Sequence, residues 1–161
     1  MRVGAKTTRC LAIALLGAGA FLGRASVERA PGAAPAQPGP TRPAVVFFGD
    51  SLTAGLGVAP EENYPARLQR RIDTAGYRYR VVNAGVSGDT SSQGLNRLSA
   101  VAEMRPAIVI VELGANDGLR GLPVETTQAN LEAIVTRLKE AGAEVILAGM
   151  EMPPNYGSVY T

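Results

Sequence analysis

The amino-acid sequence predicts an α/β fold, a three-layer α/β/α sandwich built around a flavodoxin-like parallel sheet. Short apolar runs rich in β-branched residues alternate with longer amphipathic segments along the chain. Glycine or proline stands between most of these segments, as expected where one element ends and the next begins. The 161 residues are enough for one domain with a sizeable core. Strands that alternate with helices pair in parallel through right-handed crossovers.

Four segments are predicted to be strands. The third is almost wholly apolar, which is typical of a strand covered on both faces of a parallel sheet. In chain order the four are Ala44–Phe48, Tyr79–Asn83, Ala107–Leu113 and Glu144–Ala148.

Three segments with apolar residues at helical spacing are predicted to lie between the strands. Pro65 stands where the first helix begins and Gly76 where it ends. The second helix is capped within Asp89-Thr90-Ser91 and ends before Pro106, and the third ends at Gly142. The apolar positions of the three helices are Tyr64, Leu68 and Ile72; Leu95, Leu98 and Ala102; and Leu131, Ile134, Val135 and Leu138.

The first 25 residues are predicted to be a signal peptide. Three basic residues precede the apolar run from Leu11 to Leu22, and small residues follow at a suitable cleavage site. The apolar run is too short for an ordinary membrane span, so no stable membrane insertion is expected after its removal. An uncleaved anchor is the alternative interpretation. We therefore expect a periplasmic or secreted protein.

Residues 26–43 are predicted to be an extended linker, because they are rich in proline and alanine and cannot bury enough apolar surface to offset their ordering entropy. The folded domain is therefore expected to cover residues 44–161. Four of the 16 basic residues and none of the 14 acidic residues lie in the signal peptide, so the rest has a small negative balance. That balance gives no indication of a nucleic-acid partner.

Cysteine and histidine usage limits the chemistry open to the domain. Cys10, within the signal peptide, is the only cysteine of the sequence, and there is no histidine. The mature domain therefore has neither a disulfide nor thiol chemistry. No cluster of side chains has the spacing of metal ligands, so no metal or cofactor is expected.

Polar loops follow the first three predicted strands. They are Gly49-Asp50-Ser51-Leu52, the glycine-rich stretch Asn83–Thr90, and Gly114-Ala115-Asn116-Asp117-Gly118. The carboxyl ends of parallel strands lie at one edge of a sheet, so these loops should converge. A hydroxyl, free backbone amides and a side-chain amide are what acyl transfer requires. Each loop taken alone is equally compatible with an ordinary turn.

These loops resemble the first three sequence blocks of the GDSL, or SGNH, hydrolases. The matching residues are Gly49-Asp50-Ser51-Leu52, Gly88 within Ser87-Gly88-Asp89-Thr90, and Gly114-Ala115-Asn116-Asp117. The resemblance is closest to the thioesterase I / lysophospholipase L1 / arylesterase branch and extends from Ala44 to Thr161. It implies the SGNH hydrolase fold.

The resemblance also implies a role for individual residues. Ser51 would be the nucleophile, and its own N–H, the N–H of Gly88 and the side-chain amide of Asn116 would form the oxyanion hole. Asp50 and Asp117 would support the loops without reacting. Candidates for substrate contact are Leu119, Leu122, Met152 and Pro153, for which packing within surface loops is the alternative.

The implied function is that of a serine esterase, which hydrolyses carboxylic esters or thioesters through a Ser51 acyl-enzyme. Its partner would be a small-molecule ester, thioester or lysolipid, and no cofactor is implied. Two alternatives remain open at this point. One is a carbohydrate acetylesterase of the same family, and the other is a non-catalytic protein that binds an acyl or carboxylate group.

The last block of the family, Asp-x-x-His, has no counterpart in a sequence without histidine. Ser51 then lacks a base, so the chain as printed is expected to be inactive. It is interpreted either as a pseudoenzyme or as a carboxyl-terminally incomplete domain. The second interpretation is favoured, because three helices leave an apolar strip beside the first helix and an unprotected strand edge. A fifth strand and a final helix would cover both.

Overall fold

The computed structural model describes residues 41–151. The predicted signal peptide, most of the predicted linker, and Met152 and Pro153 lie outside the described residues. The elements are β1 (Ala44–Gly49), α1 (Ser51–Ala54), α2 (Tyr64–Thr74), β2 (Arg80–Asn83), α3 (Ser91–Asn96), α4 (Leu98–Glu103), β3 (Ile108–Glu112), α5 (Ala115–Leu119), α6 (Val124–Glu140) and β4 (Glu144–Leu147). Across residues 41–151, no helix is long and apolar enough to cross a membrane.

The four strands form one parallel sheet in the order β2-β1-β3-β4. This is the order of a flavodoxin-like winding, and it confirms the predicted fold class. Each predicted strand agrees with the observed one to within one residue at either end. All six residues of the inner strand β1 are buried, as expected for a strand with neighbours on both sides and helices on both faces.

One face of the sheet packs against α3, α4 and α6. Val46 and Phe48 of β1 lie on this face beside Val109 and Val111 of β3, and all four are fully buried. The helices contribute Leu98, Val101, Ile134 and Leu138, with Leu95 and Leu131 at the margin. Two of the three predicted helices therefore share this face, as the flavodoxin-like winding requires.

The opposite face is covered by α2 over β1 and β2. Tyr64 of α2 stacks edge-on against Phe47, with 5.1 Å between the ring centroids. Gln69 accepts a hydrogen bond from the N–H of Val81 and donates one to the carbonyl of Tyr79, which fixes α2 along β2. Farther from α2, the side chain of Ile146 on the edge strand β4 is 50% exposed.

The structure corrects the helix prediction in two places. The second predicted helix is broken at Arg97 into α3 and α4, because the N–H of Arg97 closes α3 while its side chain turns towards the sheet. Two segments predicted as loops are the short helices α1 and α5. Helices of four and five residues are too short to show a helical period in the sequence.

Candidate active site

The loops after β1, β2 and β3 meet at the carboxyl edge of the sheet, and the side chain of Asn116 joins them. Its Nδ2 donates to Oδ2 of Asp50 at 3.0 Å and to the carbonyl oxygen of Asp89 at 2.9 Å. Asp50 immediately precedes Ser51, and Asp89 immediately follows Gly88. The structure therefore brings the three residues implied as nucleophile and oxyanion donors to one place.

Ser51 is the first residue of α1 and is partly buried. The helix is capped by Asp50, whose Oδ1 accepts from the N–H of Leu52 at 3.0 Å. Within residues 41–151, neither the hydroxyl nor the N–H of Ser51 makes a hydrogen bond, and neither does the N–H of Gly88. One hydroxyl and two backbone donors are thus unengaged at this edge.

Gly88 adopts a left-handed conformation, with φ at 86°. A side chain at this position would be strained, because Cβ crowds the backbone when φ is positive. The carbonyl of Gly88 accepts from Nη2 of Arg120 at 2.7 Å, which orients the peptide group between Gly88 and Asp89. Arg120 closes α5, the helix that also carries Asn116, so the glycine and the asparagine are held from one element.

Asp117 is buried, and it ties α5 to its neighbours. Its carboxylate accepts from the N–H of Ser91 at 2.8 Å, the Ser91 hydroxyl at 2.6 Å and the Thr127 hydroxyl at 3.2 Å. These donors lie on α3 and α6, so the carboxylate fixes the helix that carries Asn116. A supporting role for Asp117 agrees with these contacts.

Asp117→Ala should lower the free energy of unfolding by about 3 kcal/mol, because it leaves the buried donors of Ser91 without a charged acceptor. Urea denaturation measures the change. Asp73→Ala is the matched control, because Asp73 forms an exposed ion pair with Arg42 and its loss should cost less than about 1 kcal/mol. Equal losses for the two variants would contradict a supporting role for Asp117.

Arg97 stabilises the loop that follows β2, although no sequence motif indicated such a role. Its guanidinium donates to Oδ2 of Asp89 at 2.6 Å, to the carbonyl of Ala84 at 2.7 Å and to the carbonyl of Gly49 at 2.9 Å. It also lies over the ring of Phe48, 4.4 Å from the centroid. In the sequence, the role of Arg97 was indicated only by the presence of a basic residue between apolar helix positions.

A second cluster of polar side chains, which no sequence motif indicated, lies behind α1. Thr53 is fully buried and donates to Oε2 of Glu112 at 2.8 Å, while its hydroxyl oxygen is 2.5 Å from the hydroxyl of Tyr64. Oε1 of Glu112 has no hydrogen-bond partner and is the one such buried side-chain atom in the described part of the chain. In the sequence, this cluster was indicated only by Glu112, a single acid at the end of an otherwise apolar strand.

Burial raises the pKa of Glu112 above its usual 4.5, and the hydrogen bond from Thr53 only partly offsets this. Burial also raises the pKa of the Tyr64 hydroxyl above 10.0. An acid with a raised pKa binds its proton more tightly in the folded than in the unfolded chain. Its contribution to stability is therefore present at low pH and is lost as the pH rises through the raised pKa.

Glu112→Gln should remove the loss of stability that accompanies ionisation of Glu112, because glutamine does not ionise. Relative to the parent protein, the variant should gain stability as the pH rises from about 4 to about 8. Urea denaturation at several pH values across this interval measures the difference. A difference that stays constant with pH would contradict the raised pKa of Glu112.

The residues proposed for substrate contact are described only in part. Leu119 ends α5 with 55% of its surface exposed, and Leu122 is partly buried in the turn that follows. Neither lines the large, mainly apolar cavity of about 810 Å³ between α6 and the ends of β3 and β4. That cavity is lined at one end by Gly114 and Ala115, next to Asn116.

Within residues 41–151, no group of three or more His, Cys, Asp or Glu side chains could hold a metal ion. The buried carboxylates of Asp50 and Asp117 each accept hydrogen bonds on both oxygens, from donors on α1 and α5 for Asp50 and on α3 for Asp117.

The chain is similar in sequence to known ester hydrolases. Residues 47–160 match a model of the GDSL-like lipase/acylhydrolase family. Over 117 residues the chain is 50% identical to esterase TesA of Pseudomonas aeruginosa, covering 72% of this chain and 58% of TesA. It is 42% identical to thioesterase 1/protease 1/lysophospholipase L1 of Escherichia coli K12, covering 72% of this chain and 55% of that protein. The chain thus spans less than two thirds of either relative.

The fold has solved counterparts as well. The crystal structure of AlinE4, an SGNH-hydrolase family esterase, superposes with a TM-score of 0.69 at 42% identity. The superposition covers 73% of this chain and 64% of the AlinE4 chain. The parallel sheet with helices on both faces is therefore shared with a known ester hydrolase.

Proposed function

Because the chain belongs to the GDSL-like lipase/acylhydrolase family, we propose that it carries the nucleophile and oxyanion donors of a serine esterase. Carboxylic esters and thioesters are the proposed substrates, lysolipids among them, in line with the names of the relatives. The observation that supports this most directly is the position of Asn116. Its amide contacts the residue before Ser51 and the residue after Gly88.

The proposed reaction begins with attack of the Ser51 hydroxyl oxygen on the substrate carbonyl, while a base takes the serine proton. The carbonyl oxygen becomes an oxyanion, which the unengaged N–H groups of Ser51 and Gly88 can stabilise. The tetrahedral species collapses, and the alcohol or thiol leaves with the proton from the base. Water then hydrolyses the acyl-Ser51 ester and restores the serine.

Asn116 needs one rearrangement before it can serve as the third oxyanion donor. Both hydrogens of its Nδ2 are already used, one by Asp50 and the other by the carbonyl of Asp89. We expect the bond to the neutral carbonyl of Asp89 to be exchanged for the oxyanion. The bond to the Asp50 carboxylate is charge-assisted and should hold the amide in place.

The base of this reaction is proposed to come from outside the 161 residues, since they contain no histidine. The 161-residue chain by itself is therefore expected to be inactive. A signal peptide over residues 1–25 and a periplasmic or secreted location complete the proposal. They rest on the sequence pattern alone.

A fluorophosphonate probe tests the proposal, because it phosphonylates an activated serine. The complete gene product should be labelled, and peptide mass spectrometry should find the label on Ser51. Ser51→Ala should abolish labelling, whereas Ser99→Ala, an exposed serine on α4, should not change it. A complete, folded gene product that binds an acyl ligand but resists the probe would instead be a non-catalytic binding protein.

A further inference from the structure

We propose that Glu112 is a positioning residue for the nucleophile, holding α1 against the end of the sheet through the hydroxyl of Thr53. This inference rests on the proposed function of Ser51. Glu112 is not placed to react, and it acts through a helix that carries the serine. Glu112, Thr53 and Tyr64 together form this Thr53 clamp.

The strand register places Glu112 beside the nucleophile loop. Glu112 ends β3, and its Cα pairs with Gly49, the last residue of β1. A side chain at position 49 would collide with the Thr53 hydroxyl and with the carbonyl and carboxylate of Glu112. The glycine before Asp50 therefore lets the carboxylate and the threonine meet directly behind the loop.

The direction of Thr53 separates the clamp from the reacting face. Ser51 and Thr53 are two residues apart on α1, and helix side chains at that spacing do not share a face. Thr53 is fully buried, while Ser51 is partly exposed and its hydroxyl has no hydrogen-bond partner among residues 41–151. Glu112 therefore contacts the inner side of α1 and does not serve as the base for Ser51.

Tyr64 gives the clamp its third attachment. It is the first residue of α2, and its ring packs against Phe47 of β1. Its hydroxyl meets the Thr53 hydroxyl, so the clamp joins α1 to both β3 and α2. Two separate elements, β3 and α2, thereby determine where α1, and with it Ser51, stands relative to the sheet.

The clamp can keep both hydrogen bonds in either charge state of Glu112. When the carboxyl is ionised, Tyr64 donates to Thr53 and Thr53 donates to Oε2 of Glu112. When it is neutral, Glu112 donates to Thr53 and Thr53 donates to Tyr64. The charge of Asp50 raises the pKa of Glu112, and the charge of Glu112 in turn raises the pKa of Tyr64. The hydroxyl of residue 53 is required in both states, and glutamine can replace Glu112.

The test compares Thr53→Val, which removes the hydroxyl at nearly constant shape, with Thr53→Ser, which retains it. In the complete gene product, Thr53→Val should lower kcat and the fluorophosphonate labelling rate about 10- to 100-fold, because a small displacement of a nucleophile is costly. KM should change less than about twofold, since substrate binding is unaffected. Glu112→Leu, which removes the acceptor of the Thr53 hydroxyl, should lower the rate in the same way. Thr53→Ser and Glu112→Gln keep the hydrogen bonds and should retain most of the rate, and Thr74→Val is an exposed control.

A second measurement does not depend on catalysis. The N–H groups of Gly55 and Leu56 bond to the carbonyl of Ser51 at 3.0 and 2.9 Å, so their hydrogen exchange reports whether α1 is held. Thr53→Val should speed their exchange at least about tenfold more than Thr74→Val does. Unchanged exchange, or labelling of Thr53→Val at the parental rate, would overturn the clamp. If the parent protein is never labelled, only the proposed function fails, and exchange still decides the clamp.

Discussion

Ser51→Ala in the complete gene product should lower kcat/KM for a p-nitrophenyl ester by about 10⁴- to 10⁶-fold, the range seen when a serine hydrolase loses its nucleophile. The alanine leaves the carbonyl without an attacking oxygen. Folding should be unaffected, because the Ser51 hydroxyl makes no hydrogen bond with residues 41–151. Steady-state hydrolysis and the thermal unfolding midpoint measure the two effects.

The same ester-hydrolysis assay tests whether the 161-residue chain is inactive without a histidine base. The 161-residue chain alone, which has no histidine, should hydrolyse the ester no faster than Ser51→Ala does. Ser99→Ala in the complete gene product is the control for removing an exposed serine hydroxyl and should keep parental activity. A Ser51→Ala variant that kept even a tenth of the activity would rule out the acyl-enzyme mechanism.

Asn116→Ala should lower kcat by about 10²- to 10³-fold, which is the effect of removing one oxyanion donor. KM should change little, because the oxyanion forms only after attack has begun. The variant should also lose about 1 to 2 kcal/mol of stability, because the amide bonds to Asp50 and Asp89 disappear. Hydrolysis kinetics and urea denaturation of the same preparations separate the two effects.

Gln128→Ala is the matched control for Asn116→Ala, because Gln128 carries a similar amide on the exposed surface of α6. It should leave both kcat and stability near the parental values. If Asn116→Ala reduces stability but leaves kcat intact, Asn116 only ties the loops together. The oxyanion would then be stabilised by the N–H groups of Ser51 and Gly88 alone.

The resemblance stated from the sequence identified the family, and its three motif residues do converge. Ser51, Gly88 and Asn116 lie on loops whose positions follow from a parallel sheet, so their meeting could be anticipated. The free N–H groups and the engaged amide of Asn116 could not be anticipated. Each depends on which neighbouring groups take up the hydrogen bonds.

Glu112 and Arg97 show most clearly what could not be predicted from the sequence. The alternation of apolar residues indicated β3, yet it gave no reason to examine the one acid within it, Glu112. The apolar spacing of the second helix predicted one continuous helix, whereas Arg97 interrupts it to reach Gly49, 48 residues earlier. In both cases a polar contact distant in sequence decided the local structure.

The sequence by itself determined the order and type of the main elements, the parallel sheet and the polar loops at its carboxyl edge. These properties depend on local periodicity and on chain connectivity, which the residues display directly. Only the tertiary structure decided how the polar groups are paired. Thr53 and Glu112 are 59 residues apart, and Asp50 and Asn116 are 66 apart, so no local pattern records their contacts.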